Sequence, residues 1–236
     1  MLPTIPIFVS FVFGLTTLTT LVVFYGAVKN AKTMATRHKS DAVLMGLSLW
    51  LFLQAALTLN NIYNTNTDAI PPKILVFGVL PTVLTIVFLF TTQKGRTFID
   101  SLPLVHLTYL NTVRIPVELA LFWLFVNKAI PQIMTFEGSN FDILAGISAP
   151  FITYFGLKKA MLSKNIVLVW HFVALGLLLN IVVIALLSAP GPLQKLAFDQ
   201  PNIAILNFPF SWLPTFIVPI VLFGHLVSIR QLLKNN

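Results

Sequence analysis

Long apolar stretches separated by short polar segments run through the whole chain. Seven of them are long enough to consider as membrane spans, at 5–28, 43–62, 73–92, 102–127, 141–158, 165–188 and 209–229. A helix needs about 20 mainly apolar residues to cross the hydrocarbon of a bilayer, and about 17 are tolerated. The alternation of apolar and polar residues that marks a barrel strand is missing from the sequence. The pattern therefore predicts an all-α polytopic membrane protein, with seven transmembrane helices in one domain, 1–236.

Composition and charge support this interpretation. Hydrophobic residues make up 57% of the chain and charged residues 9%, whereas a soluble domain carries about 25% charged residues. Eleven of the fifteen basic residues follow the first, third, fifth and seventh spans. They are Lys29, Lys32, Arg37, Lys39, Lys94, Arg96, Lys158, Lys159, Lys164, Arg230 and Lys234. Because cytoplasmic loops are enriched in lysine and arginine, we expect the N-terminus outside and the C-terminus in the cytoplasm.

The placement of the basic residues distinguishes between a lipid bilayer and a nucleic acid as the partner. They flank spans and therefore mark topology, so we expect the lipid bilayer as a partner and no nucleic acid. A plasma or inner membrane fits this orientation. The chain has no cysteine, which excludes disulfides and thiolate metal sites. Seven spans with an external N-terminus are also found in rhodopsins, but span 209–229 has no lysine that could form a retinal Schiff base. We therefore predict no cofactor.

Three short patterns recur in the same order and suggest an internal repeat. Trp-x-Phe followed by Leu-Asn begins at Trp50 and again at Trp170, and Leu-Pro-Thr occurs at 80–82 and 213–215. Aromatic residues, glycine and a basic cluster close spans one and five. The candidate repeats are 5–92 and 141–229, with 102–127 as the linker helix. This three-plus-one-plus-three plan resembles that of the SWEET-type sugar transporters, although their sequence motifs are missing. The resemblance implies parallel halves with a site between them.

Two charged residues inside a span indicate a polar intramembrane site. Arg114 lies near the middle of span 102–127, and Glu118 follows one turn later. An ionised side chain at this depth costs about 2.5–3.5 kcal/mol on insertion scales, so both should be paired. At positions i and i+4 they can pair with each other. We expect an anion or proton site here, and a helix-locking ion pair is the alternative. Polar residues that could join the site are Asn60, Asn180, Gln54 and Asn111.

Three histidines fall at similar depth on three spans. His106, His171 and His225 each lie about one turn from the predicted cytoplasmic end of a span. Three imidazoles on three helices could bind one metal ion. The alternative is that each is a hydrogen-bonded polar cap, since no His-x-x-x-His pair puts two ligands on one helix face.

The predicted external loops carry further candidate residues. These are Glu137, Asn140, Asp142 and Asp199. Asp142, together with Ser139, could also cap the helix that follows.

No catalytic motif is present, so function is read from the site alone. We expect a small-molecule transporter or ligand-binding bundle, with an unknown small molecule bound near Arg114. An integral-membrane enzyme acting on a lipid or isoprenoid is an alternative, and so is a structural subunit of a membrane complex. Oligomerisation is compatible with each.

Overall fold

The computed structural model describes residues 5–234, so residues 1–4 and 235–236 of the predicted domain lie outside the described part. Helices account for the regular structure of residues 5–234, and no strand occurs among them. The α-helices are α1 Ile7–Lys29, α2 Met34–Arg37, α3 Ser40–Leu59, α4 Leu80–Thr91, α5 Gln93–Ser101, α6 Leu104–Tyr109, α7 Arg114–Val126, α8 Asp142–Phe151, α9 Lys164–Ser188 and α10 Val218–Lys234. Three π-helical segments cover Leu75–Val79, Ile152–Lys158 and Leu213–Ile217. Short 3-10 helices cover Leu110–Val113, Gln132–Met134 and Ala204–Leu206.

Five helical stretches of residues 5–234 are long and apolar enough to cross a membrane. They are Ile7–Lys29, Met34–Leu59, Leu104–Val126, Lys164–Ser188 and Leu213–Lys234. A bent pair, Leu75–Thr91 and Gln93–Ser101, raises the number to six if it counts as one span. The all-helical fold is thus confirmed, and the candidate spans suggest a membrane protein. The seven-span count, the orientation and the repeat stay predictions.

Two of the predicted spans are shorter than the sequence suggested. The helix that fills most of span 73–92 stops at Thr92, which has extended backbone angles, and α5 leaves at 93° to it. The Thr92 hydroxyl accepts a hydrogen bond from the Gly95 amide and so caps α5. Span 141–158 is composed of α8 and a π-helical continuation of 7 residues. A wider turn shortens a helix for a given number of residues.

The bundle has two distinct ends. We call one the basic end, because the loops after α1, α4 and Lys158 and the end of α10 lie there. The other, the loop end, holds segments 60–74, 127–141 and 189–212. Two of these segments are joined by backbone hydrogen bonds, in which the Ile203 and Ala204 amides donate to the Ala129 carbonyl. At the basic end the Gln231 side chain donates to the carbonyls of Ile99 and Leu102.

The linker helix forms the centre of the bundle. It runs through α6, the 3-10 turn Leu110–Val113 and α7, and packs against α1 on one side and α8 on the other. Contact with α8 is close at Gly146, where a Cβ atom would lie 3.0 Å from the Ile115 nitrogen. This close approach holds the first turn of α8 against Arg114.

The π-helical segments Leu75–Val79 and Leu213–Ile217 contact each other in the bundle. The contact is tight at Gly78, where any Cβ atom would overlap the Thr215 methyl group. Helix α3 supplies hydrogen bonds to both segments. The Gln54 amide donates to the Phe77 carbonyl (3.1 Å), and the Trp50 indole donates to the Thr215 carbonyl (2.9 Å). A π-turn changes the helical hydrogen-bond register, and these side chains bond carbonyls in the altered turns.

Candidate functional site

Arg114 is buried at the centre of the bundle and pairs with Asp142. Its Nε donates to Asp142 Oδ2 at 2.6 Å, and its Nη2 donates to Asp142 Oδ1. The predicted pairing of Arg114 with Glu118 is therefore wrong. Asp142 opens α8 and presents both carboxylate oxygens to the planar guanidinium, a bidentate geometry that strengthens an ion pair.

The loop before α8 explains why Asp142 lies at the depth of Arg114. Segment 127–141 sinks into the bundle at the loop end, with Met134, Thr135 and Asn140 completely buried. The first turn of α8 is thus brought down to the middle of α7. Capping of α8 by Asp142 or Ser139 is not found. Phe141 is the residue that precedes the helix, and the Asp142 amide donates to Asn140 Oδ1 at 3.0 Å.

The remaining donors of Arg114 are also occupied. Both Nη atoms donate to the Ala174 carbonyl of α9, at 3.2 and 3.1 Å. Nη1 also lies 3.4 Å from Asn111 Oδ1 and 3.3 Å from His225 Nε2. A guanidinium has five N–H donors, and each has a protein acceptor here. Arg114 consequently has all its donors engaged within the protein, and the anion or proton site expected from the sequence stays a prediction.

His225 and His171 continue this network, and their tautomers follow from it. Arg114 can only donate, so His225 Nε2 accepts and its proton resides on Nδ1. His225 Nδ1 then donates to His171 Nδ1 at 3.0 Å. His171 must carry its proton on Nε2, which lies 3.2 Å from the Thr108 hydroxyl. The two imidazoles are therefore neutral in this arrangement.

The third histidine stays apart, and the shared metal site is wrong. His106 lies on α6 with its ring against Gly26 of α1, and its buried Nδ1 has no hydrogen-bond partner. Within residues 5–234 no group of three His, Cys, Asp or Glu residues is arranged to hold a metal ion. Similar depth on three helices did not bring the rings together, because α6 turns this face toward α1 and away from α9.

Among the charged groups of the cluster, Glu118 has the fewest hydrogen-bond donors around it. It is 1% exposed. Both of its oxygens accept from a single amide nitrogen, Asn140 Nδ2, at 2.8 and 2.7 Å. The same nitrogen also donates to the Met134 carbonyl at 3.0 Å. An amide nitrogen has only two hydrogens, so the carboxylate of Glu118 lacks the donors that a buried charge requires.

The charges of the cluster do not balance. Arg114 contributes one positive charge, Asp142 and Glu118 contribute two negative charges, and the two histidines are neutral. A net negative charge in a low-dielectric interior is unfavourable unless a proton or a cation compensates it. Glu118, which has no cationic partner among the described residues, is the place where that compensation fits.

A cavity of about 300 Å³ reaches this cluster. Glu118, Arg114 and Asp142 form its inner wall, and Tyr63 and Lys73 lie at the loop end. Between them the wall is apolar and comes from α4, α7, α9, α10 and the π-helical segments Leu75–Val79 and Leu213–Ile217. Its apolar residues include Val79, Val83, Val117, Leu121, Leu178, Ile181, Val182, Ile217 and Leu222. The cavity therefore suits a mostly apolar molecule with one polar end.

Tyr63 was not expected from the sequence. It is buried at 3% exposure, and its hydroxyl donates to Gln54 Oε1. Burial raises the pKa of the Tyr63 phenol from 10.0 to about 12, although the hydrogen bond to Gln54 opposes this effect. Nothing in the local sequence of loop 60–74 signalled that this side chain would fold back onto α3.

The other predicted site residues separate into two groups. Gln54 and Asn111 are buried and hydrogen-bonded as described above. Asn60 and Asn180 are exposed: Asn60 donates to the Ala56 carbonyl and Asn180 to the Ser139 carbonyl, so neither reaches the cluster. Of the loop candidates, Asn140 and Asp142 belong to the cluster. Glu137 and Asp199 are exposed at the loop end.

The comparisons with known proteins identify a family without a described activity. Neither the curated proteins nor the solved structures contain a match to the chain. Residues 71–233 match a family described as a domain of unknown function (DUF8737). The matched region includes the cluster around Arg114, both histidines of the hydrogen-bonded chain and most of the cavity wall. Since the match spans more than half of the chain, the protein belongs to the DUF8737 family.

Proposed function

We propose that this protein is a small-molecule transporter or ligand-binding bundle that crosses the membrane seven times. Of the two shorter passes, Leu75–Thr91 runs between the same two ends as the five long helices, whereas Asp142–Lys158 runs from the level of the Arg114 cluster to the basic end, and the buried segment 127–141 completes this pass. Each is near the lower limit for a spanning helix. The basic end then faces the cytoplasm, and the loop end, with the mouth of the cavity, faces the exterior.

The repeat is part of this proposal. Buried positions in the second half of α3 are Leu51, Gln54 and Thr58, and those of the matching part of α9 are His171, Ala174 and Leu178. The two sets have the same internal spacing. The sequence separation between them is the one that separates Asn60 from Asn180. In the third helix of each half, the π-helical segments favour a different alignment. Leu75–Val79 and Leu213–Ile217 both begin with leucine, and each precedes an α-helix whose second residue is proline. This alignment matches Pro81 with Pro219, whereas the Leu-Pro-Thr pattern matches Pro81 with Pro214.

The observation that supports this proposal most is the position of Glu118. Its carboxyl lies on the wall of an apolar cavity and has too few hydrogen-bond donors. The ligand we propose is a small, mainly apolar molecule with an ammonium group. Its ammonium takes the place of a proton at Glu118, so the excess negative charge is balanced by one or the other. Alternation of this kind is a simple basis for proton-coupled exchange across a membrane.

An enzyme acting on a lipid or isoprenoid is the second candidate. It is favoured by the length of the apolar wall between Glu118 and the loop end, which suits an extended hydrocarbon chain. Glu118 would then serve as a general acid. The two candidates differ in the fate of the ligand, which an enzyme releases changed and a transporter releases unchanged.

Calorimetric titration of the protein in nanodiscs tests the proposal. Octylammonium, octanol and octanoate share a chain and differ in charge, and protein-free nanodiscs correct for partitioning into lipid. We expect octylammonium to bind most tightly, and Glu118→Gln to remove its advantage over octanol. Glu137→Gln is the matched control, since it removes the same charge from an exposed loop. Preference for octanoate, or equal octylammonium binding by wild type and Glu118→Gln, overturns the proposal.

A further inference from the structure

A second cavity, of about 570 Å³, lies in the basic half of the bundle. We call it the basic cleft. Its wall comes mainly from α3, α4, α5 and α10, with additions from α1 and the π-helical segment Leu213–Ile217. Apolar lining residues include Val43, Leu47, Trp50, Ile86, Leu89 and Phe98. Among the described residues it shares only Pro219 with the lining of the cavity at Glu118. The basic cleft is thus a separate site.

The basic cleft opens sideways between two consecutive helices. Helix α3 packs on α1, and α4 packs on α5 and α10, while α3 and α4 make little contact with each other. None of the 12 residues of α4 is buried. In a membrane, such a gap between helices is filled by hydrocarbon. An acyl chain can therefore enter from the bilayer without passing through water.

Two lysines line the basic cleft at its cytoplasmic end. Lys39 precedes α3, and Lys94 lies in the first turn of α5. Both are exposed, and neither has a side-chain hydrogen bond or an ion pair within residues 5–234. Because α5 bends away from α4 by 93°, its first turn adds Lys94 to the wall that Lys39 also lines. Two free ammonium groups therefore lie where an acyl cleft meets the membrane surface.

We propose that the basic cleft binds an anionic phospholipid of the cytoplasmic leaflet. One acyl chain lies between α3 and α4 against Trp50, and the phosphate contacts Lys39 and Lys94. Basic pockets between transmembrane helices on the cytoplasmic side suit anionic headgroups in this way. A zwitterionic lipid fits the apolar part equally well, but its headgroup gains less from two lysines. The lipid thereby bridges α3 to α4 and α5 across a gap at which α3 and α4 make little direct contact.

The position of Trp50 provides a direct readout. In a variant with Trp123, Trp170 and Trp212 replaced by phenylalanine, Trp50 is the single tryptophan. Bromine atoms on an acyl chain quench tryptophan fluorescence on contact. We expect brominated phosphatidylglycerol to quench Trp50 at much lower mole fractions than brominated phosphatidylcholine. At about fivefold for each lysine near the headgroup, the preference should be roughly 25-fold.

Lys39→Gln with Lys94→Gln should abolish this preference while leaving quenching by phosphatidylcholine unchanged. Lys158→Gln with Lys159→Gln is the matched control, because it removes the same charge at the basic end away from the cleft. Equal quenching by the two lipids in the single-tryptophan protein overturns the proposal. Equal loss of preference in both lysine variants also overturns it, since attraction would then be a property of the whole basic surface. If the three-phenylalanine variant does not fold, lipids retained by the wild type and the lysine variants in native mass spectrometry give the same comparison.

Discussion

Arg114 and Asp142 face each other across the contact between α7 and α8 and form a buried bidentate ion pair. Arg114 thereby joins the central helix to the first turn of α8, and its remaining donors reach α9 and α10. The pair is neutral and its donors are used, which supports a role as a structural clasp. In our proposal, Glu118, one turn away, is the group that contacts a ligand.

Removal of either member of this pair should destabilise the protein strongly. Arg114→Met leaves the Asp142 carboxylate uncompensated, and Asp142→Leu does the same to the guanidinium, each at about 3–5 kcal/mol. The double variant should recover most of the loss, since no buried charge of the pair remains. Thermal unfolding in detergent measures this. A double variant as unstable as the two single variants would show that the pair is not a self-contained clasp.

Gly146 should tolerate no larger residue, because α8 lies directly on the central helix there. A Cβ atom would lie 2.9 Å from Ile115 Cγ1 and 3.0 Å from its backbone nitrogen. Gly146→Ala should therefore destabilise by about 1–3 kcal/mol. Gly176→Ala is the control: its Cβ would meet nothing within 4 Å, and alanine favours the helix. Equal unfolding temperatures for both variants would contradict the close approach.

Asp100 should make stability depend on pH at the basic end. Its carboxylate accepts hydrogen bonds from Arg230 and Lys234, and the hydrogen bond from Arg230 is the main cause of a lowered pKa of Asp100. A carboxyl whose pKa is lower in the folded state stabilises above its unfolded pKa, and loses this effect as pH falls through the folded value. Asp100→Asn should thus lower the unfolding temperature at pH 7 and much less below about pH 4.

The comparison for Asp100 is Asp199→Asn, because Asp199 is exposed and has no ion pair within residues 5–234. This control should unfold like the wild type at both pH values. An effect of Asp100→Asn that is equally large at pH 7 and pH 3 would show that charge is not its source.

Tyr63 should give a second pH dependence, at alkaline pH. Its pKa is raised to about 12 by burial, so the folded state holds the phenolic proton more tightly than the unfolded state. Stability should fall as pH rises from about 10 to 12, and this fall should be smaller in Tyr63→Phe. The same variant should lose about 1–3 kcal/mol at neutral pH, because Gln54 Oε1 loses its buried donor. Parallel pH profiles would contradict the burial of Tyr63.

Hydropathy located the long helices well because it depends on local composition. The predicted span 165–188 corresponds to Lys164–Ser188, and 5–28 to Ile7–Lys29. It did not reveal the bend at Thr92 or the π-helical segments. The bend accompanies a threonine cap, and two of the π-helical segments accept hydrogen bonds from α3 side chains, contacts that leave no mark on the apolar pattern.

The candidate site was recognisable only in part for the same reason. Arg114 and Glu118 were found because charges inside an apolar run are conspicuous. Their partners were not, since Asp142 appeared to lie at the membrane surface. Its true depth depends on how far segment 127–141 sinks into the bundle. For Asn60 and Asn180 the error is the opposite. Both were predicted to join the site, but they are polar residues that face outward.

The state of Glu118 tests the central claim most directly. Dicyclohexylcarbodiimide is an apolar reagent that adds a protonated carboxyl to its carbon–nitrogen double bond and leaves a stable acylurea. Of the seven acidic residues, we predict that Glu118 is modified first, as mass spectrometry of peptides will show. Octylammonium should slow this modification at Glu118, and octanol should slow it less. Modification of Glu137 or Asp199 ahead of Glu118, or modification of Glu118 unaffected by octylammonium, would contradict a ligand site at this carboxyl.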